Sequence, residues 1–114
     1  MLLVVEDEPH VASLTCAMLE ELGYRCEHVE SADAALRLDL HRFVGVVSDV
    51  IMPGELDGIG LAKELRRLRP ELPILLTTGF AGAPEGVVSA GFPVLKKPYT
   101  LEELSVMLRK HFDH

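Results

Sequence analysis

The chain has 114 residues, 48% hydrophobic and 25% charged, which suits one domain with a single folded core and argues against disorder. A formal net charge of −7 argues against a nucleic-acid surface and gives no attraction to anionic membranes, although a basic protein partner stays compatible with it. Cys16 and Cys26 lack metal-ligand spacing and read as reduced packing residues, "MLLVV" is too short for a signal peptide, and no apolar run approaches membrane-spanning length. A single cytoplasmic domain over residues 1–114 is expected.

Strand and helix signals then alternate along the chain. Leu2 to Val5 is a short apolar run, predicted as a buried strand. Pro9 suits a first helical turn, Val11, Leu14, Met18 and Leu22 follow at helical spacing, and Gly23 supplies the stop. Cys26 to Val29 predicts a second strand. Ser31 can cap a helix carrying Ala34, Ala35, Leu36 and Leu40. Val44 to Ser48 predicts a third strand, and Leu61, Leu65 and Leu68 mark a helix that stops before Pro70. "PILLTT" (residues 73–78) is a fourth strand. The Gly/Ala-rich stretch 79–86 predicts a loop and a short helix after it. "PVLKK" (93–97) predicts a fifth strand. Thr100 and Glu103 form a capping box ahead of a helix striped by Leu101, Leu104, Leu108 and Phe112. Five strand–helix units with strands apolar on both faces imply a parallel sheet covered on both sides, an α/β fold.

In such sheets ligands sit at the carboxyl ends of the strands. Those ends carry Glu6-Asp7-Glu8 after strand one, Asp49 after strand three, Thr77-Thr78 on strand four and Lys96-Lys97-Pro98 after strand five. Clustered carboxylates repel one another and favour a cation, and hard oxygen ligands suit Mg²⁺. A lysine and a hydroxyl beside the metal suit a phosphoryl group, and a central carboxylate can be the nucleophile that receives it. Asp49, at the end of an apolar strand where a bare carboxylate is costly, is placed for that role.

With these residues in order, the chain resembles the receiver domains of two-component response regulators over essentially its whole length. The resemblance rests on "LLVVEDEP", "VVSDVIMPGELDG", "PILLTTG" and "VLKKPYTLEEL". It implies a flavodoxin-like (βα)5 three-layer sandwich with five parallel strands in the order 2-1-3-4-5. It implies Asp49 as phosphoacceptor, Asp7 as a direct Mg²⁺ ligand, Glu6 as a ligand through water, and the backbone carbonyl of Ile51 as another ligand. It implies Thr78 and Lys97 as the groups that bind the phosphoryl and trigger the switch, and a cis bond at Lys97-Pro98. The phosphoryl donor would be a histidine kinase or a histidine phosphotransfer protein, with no nucleic-acid or membrane contact by this domain, and homodimer formation is left open. Two departures stand out. Val94 occupies the position three before the lysine where many receivers carry an aromatic switch residue, with Phe92 nearby, and "MPGELDG" is one residue longer than the commonest form. The longer loop, "LTTGFA" and "GFPVLKKPY" look most like receivers of hybrid sensor histidine kinases. In receivers the residues two after the phosphoacceptor and two after the threonine flank the path of a hydrolytic water; here they are Ile51 and Phe80.

Taken singly, each residue has a blander reading. The acidic run could be a solvated helix start, Asp49 a turn cap, Thr78 a strand residue and Lys97 a solvated lysine. Glu8, Lys96 and Thr77 keep that reading, and His10, His28, His41, His111 and His114 read as surface or boundary residues. Met18 and Met107 read as core. Other functions compete with a phosphoacceptor module. A phosphatase with an Asp nucleophile usually carries a general acid two residues on, where Ile51 cannot transfer a proton. A flavin phosphate would be repelled by "EDEP". A scaffold that is not phosphorylated would not need so complete a set of site residues.

Overall fold

The structure, a computed structural model, describes residues 1–51, 57–79 and 91–112. Five strands, β1 (Leu2–Val5), β2 (Cys26–Val29), β3 (Gly45–Asp49), β4 (Ile74–Thr78) and β5 (Val94–Lys96), form one parallel sheet in the order β2-β1-β3-β4-β5. Between and after them lie helices α1 (Pro9–Glu21), α2 (Ala32–Leu36), α3 (Gly58–Leu68) and α4 (Leu101–His111). This is the flavodoxin-like architecture implied by the sequence.

The continuous apolar strands are explained by their two buried faces. Leu3, Val5, Val46, Ile74 and Leu76 join one core with Ala32 and Ala35 of α2 and Leu61 and Leu65 of α3. Leu2, Val4, Val47 and Leu75 alternate to the opposite core, where they meet Leu19 of α1 and Leu104 and Leu108 of α4. Each fully buried leucine contributes about 1.5–3 kcal/mol relative to exposure, so these two layers hold the sheet and fix its register.

Local signals place the helix ends. Pro9 opens α1. At its far end the Gly23 N–H donates to the Glu20 carbonyl and the Tyr24 N–H to the Leu19 carbonyl, a Schellman arrangement that Gly23 permits with φ of +97°. Ser31 Oγ accepts from the Ala34 N–H, Asp57 Oδ1 from the Gly60 N–H, and Thr100 and Glu103 form the expected capping box.

Several expectations shift. The buried face of α1 is Ala12, Thr15 and Leu19, whereas Leu14 is 58% exposed. The helix is apolar over a wide arc, so spacing alone picks a stripe about one residue off. Helix α2 stops at Leu36 instead of reaching Leu40: the Asp39 backbone is extended, its side chain accepts from the His41 N–H, and a separate 3-10 turn begins at Leu40. Strand β3 runs one residue later than expected, ending on Asp49 itself. Met18 and Met107 are half-buried against the core, and Cys16 and Cys26 are free thiols beside them. The expected Met52-Pro53-Gly54 break, Phe80, His114, and the loop and short helix expected after Gly79 lie outside the described residues.

Candidate functional site

Strands β1, β3 and β4 end at the same edge of the sheet because they are parallel and in register, with Val5 beside Ser48 and Asp49 beside Thr77. Glu6 follows β1 directly, Asp49 closes β3, Thr78 closes β4 and Lys97 follows β5. Carboxylate oxygens of Glu6, Asp7 and Asp49 all lie within 4.8 Å of one another. Lys97 Nζ reaches into this cluster and donates to Glu6 Oε1 at 2.7 Å and to Asp49 Oδ2 at 2.9 Å. The other Asp49 oxygen, Oδ1, accepts from the Ile51 N–H at 3.2 Å.

Burial sets the electrostatics. Glu6 is only 4% exposed, so desolvation pushes its carboxyl up. The Lys97 hydrogen bond and the Glu8 N–H pull it back, the Asp49 charge adds to the rise, and its pKa settles above the ordinary value. For Lys97 burial works against the ammonium. The hydrogen bonds and charges of Glu6 and Asp49 outweigh it, so the lysine holds its proton more firmly than a free one. The ammonium therefore stands as a fixed internal cation between two carboxylates.

Three carboxylates against one ammonium leave an excess of negative charge, and every acidic donor is a hard oxygen. That donor set fits a divalent hard cation such as Mg²⁺ and offers no soft or imidazole ligand to a transition metal. Asp7, the exposed member, is the one open to solvent, while Glu6 and Asp49 are partly occupied by Lys97.

The remaining expected residues take distinct places. Thr78 is 2% exposed, and its carbonyl accepts the Lys97 N–H at 2.7 Å, tying the ends of β4 and β5 together beside the cluster. Ile51 follows the strand end and is half-exposed. The Lys97-Pro98 bond is cis. The residues given the bland reading stay outside the acidic group: Lys96 is exposed, the exposed Glu8 meets the cluster only through its backbone N–H on Glu6, and the Thr77 hydroxyl contacts the Ser48 carbonyl at 3.5 Å. Val94 is half-buried against the core, and Phe92 is buried with the Arg66 guanidinium 3.8 Å above its ring.

Sequence reasoning did not find three supports of this site. The Ser48 hydroxyl donates to the Asp49 carbonyl at 3.0 Å, the His28 ring contacts the Glu6 carbonyl, and Gly58 packs against the Asp49 backbone. Only Gly58 left a signal, as the glycine of the Asp-Gly pair that opens α3. The Thr15 and Tyr99 hydroxyls lie 2.5 Å apart and join α1 to the segment after the cis bond.

This geometry agrees with what is known of similar chains. The sequence profile of the response regulator receiver domain matches residues 2–109. The receiver protein CpdR of Brucella abortus is 34% identical over 107 residues, which cover 90% of this chain and 88% of that protein. The sensor kinase CckA of the same organism is 33% identical over 115 residues, but this chain spans only 12% of its length; it spans 44% of the transcriptional regulatory protein TcrA of Mycobacterium tuberculosis. Among solved structures, the receiver domain of NtrX from Brucella abortus superposes with a TM-score of 0.86 at 29% identity, covering 96% of both chains. The receiver domain of sensor histidine kinase PA1611 from Pseudomonas aeruginosa superposes at 0.83 and 29% identity over 99% of this chain and 97% of that one, and carries a magnesium ion coordinated in its active site cleft. With the receiver-domain profile matching residues 2–109 and solved receiver domains superposing on nearly the whole chain, the chain belongs to the response regulator receiver domain family of two-component systems.

Proposed function

We propose that Asp49 is the phosphoacceptor of this receiver domain, taking a phosphoryl group from the phosphohistidine of a histidine kinase or histidine phosphotransfer protein. The observation that carries the reading is the bridging lysine: Lys97 Nζ holds Glu6 and Asp49 together at 2.7 Å and 2.9 Å inside a three-carboxylate cluster at the strand ends. Asp7 and Asp49, with the Ile51 carbonyl and Glu6 through water, would hold Mg²⁺, which when bound neutralises charge on phosphoryl oxygens. An Asp49 carboxylate oxygen attacks phosphorus, the O–P bond forms as the P–N bond breaks, and the electron pair returns to the imidazole nitrogen of the donor. Lys97 balances the charge that arrives, and Thr78 offers a hydroxyl to a phosphoryl oxygen.

The Asp49 phosphate then shifts the domain between two states by drawing Lys97 and Thr78 to the new charge. On this reading the domain, spanning residues 1–114, is a cytoplasmic switch that regulates a partner or an attached domain. It has no turnover on external substrates, since Ile51 stands where a general acid would be needed. The net charge of −7 supports a protein partner over nucleic acid or membrane. The relatives include a transcriptional regulator and a sensor kinase, and the similarity to CckA supports a place in a hybrid kinase. Among the described residues no helix is long and apolar enough to cross a membrane. The test is intact mass after incubation with acetyl phosphate and Mg²⁺. One phosphoryl group should be added to the wild type and none to Asp49→Ala or Asp49→Asn; normal labelling of Asp49→Ala would sink the assignment.

A further inference from the structure

The acidic residues of the site sit on a sharp turn. The Glu6 N–H continues the sheet ladder to the Val29 carbonyl at 3.1 Å, after which the chain must leave the sheet and enter α1 at Pro9. Within this turn the Glu8 N–H folds back onto Glu6 Oε2 at 3.2 Å. The Glu6 carbonyl is the first acceptor past the end of β1, at a point where β2 has already ended at Val29 and the chain has moved on to the Ser31 cap of α2. A side chain meets it instead: His28 Nε2 lies 2.7 Å from the Glu6 carbonyl oxygen.

We infer that His28 is a positioning residue for the metal site, acting through the Glu6–Asp7 peptide. A carbonyl oxygen only accepts, so Nε2 carries the hydrogen of this bond. The Glu6 carbonyl belongs to the planar unit that joins Glu6 to Asp7, and fixing that plane fixes the Asp7 nitrogen and Cα from which its side chain departs, leaving only its own φ to set the direction. His28 is half-buried on a strand of the sheet, so its donor is held by the scaffold and not by the loop it restrains. A carboxylate pair that must meet one small cation gains affinity when the backbone carrying it is fixed beforehand. The role rests on the reading of Glu6 and Asp7 as metal-binding residues.

The experiment compares wild type, His28→Met and His28→Gln at constant pH. Methionine keeps the volume without a donor, and glutamine returns an N–H donor at similar reach. Calorimetric titration with Mg²⁺ should show roughly three- to tenfold weaker binding by His28→Met, the size expected for one net hydrogen bond, with most of it restored by His28→Gln. In the metal-free proteins the Glu8 amide should exchange faster in His28→Met than in wild type and return toward the wild-type rate in His28→Gln. Thermal midpoints measured alongside separate this local effect from general destabilisation, because both variants change the same strand position. His28→Met binding Mg²⁺ as tightly as a wild type that does bind it, or methionine and glutamine losing affinity equally, overturns the role. A wild type that binds no Mg²⁺ overturns the metal reading and this role together.

Discussion

The bare Cα of Gly58 lies against the backbone carbonyl of Asp49. A methyl group placed on it would stand 1.9 Å from the Asp49 oxygen and 2.8 Å from both the Asp49 carbonyl carbon and the Val50 Cα. The same residue donates its N–H to the Val50 carbonyl at 3.0 Å, so the first turn of α3 is drawn tight onto the end of β3. The atoms in the way are all backbone of Asp49 and Val50, which cannot yield without moving Asp49. Gly45 gives the contrast: its added methyl would meet the Phe112 ring at 2.5 Å, and that ring ends a half-buried side chain just past the end of α4. Gly58→Ala should therefore lower stability by at least the roughly 1–3 kcal/mol of an overpacked site and slow labelling of Asp49, while Gly45→Ala costs less. Denaturant melts of both variants decide the order, and a larger loss in Gly45→Ala would contradict this account.

Lys97 supplies the positive charge that lets Glu6 and Asp49 share a half-closed site, with side-chain exposures of 19%, 5% and 13%. Lys97→Ala should leave two carboxylates facing each other without a counter-charge. Without divalent cation the variant should lose on the order of 1–2 kcal/mol, less than a fully buried pair because water still reaches the lysine. Mg²⁺ should then raise the thermal midpoint of Lys97→Ala by more than it raises that of wild type, since the metal replaces the missing cation. The phosphorylation-dependent change should fail in this variant and survive in Lys96→Ala, whose side chain is exposed. A Lys96→Ala protein that fails to switch while Lys97→Ala succeeds would show the wrong lysine had been chosen.

Much of this site could be read in the sequence because its parts are strand ends. A run such as Val46 to Ser48, apolar on both faces, has one reading as a central parallel strand, and the residue after it must then lie at the ligand-binding edge. The same logic located Glu6, Thr78 and Lys97. The pairing of Lys97 with both Glu6 and Asp49 needed coordinates, because a five-atom side chain can reach several acceptors from one position. His28 was legible only as a polar residue on an edge strand; nothing in its neighbours shows that its ring meets a carbonyl 22 residues away. The misjudged face of α1 has a similar cause. Val11, Leu14 and Met18 form as good a stripe as Ala12, Thr15 and Leu19, and only packing against α4 and the sheet separates them.

Cys16 and Cys26 predict a pH dependence unrelated to the site. Burial is the main cause that raises both thiols, and the Cys16 charge and Glu20 add to the rise at Cys26, which is pushed up to about 12 from 9.0. In the unfolded chain the Cys26 thiol ionises near its ordinary value, while in the folded chain it keeps its proton. The unfolded state thus binds fewer protons above pH 9.0, and stability should fall as pH rises from there toward about 12. Below 9.0 this contribution is fully present. Tyr99, also raised chiefly by burial, bends the curve the same way from about pH 10. Melts of wild type, Cys26→Ala and Tyr99→Phe across alkaline pH separate the two, with the Cys26→Ala curve shallower just above pH 9. Equal slopes for wild type and Cys26→Ala in that interval would show that the thiol is not shielded. Alkylation of Cys26 by iodoacetamide at pH 8 should also be slow for the same reason.

The lifetime of a phosphorylated Asp49 depends on how a water reaches the phosphorus from the side opposite the aspartyl oxygen. A polar side chain beside that path can orient the water, whereas an apolar one excludes it without holding it. Ile51 is the residue two after Asp49. Its N–H is tied to Asp49 Oδ1 at 3.2 Å, which fixes its backbone close to the carboxylate, and the residue is 51% exposed. An isoleucine held there has no donor or acceptor to offer a water and enough bulk to crowd one. The phosphorylated protein should therefore lose its phosphoryl group slowly, and Ile51→Asn should shorten its lifetime, by on the order of tenfold if one oriented water supplies about 1.4 kcal/mol of the barrier. Phe80, the other residue expected to flank this path, lies outside the described residues, so Phe80→Glu serves as an independent second variant. Decay of the phosphorylated mass should be followed after removal of the phosphodonor, with Mg²⁺ held constant. A lifetime in Ile51→Asn equal to or longer than that of wild type would mean that something other than apolar shielding limits hydrolysis.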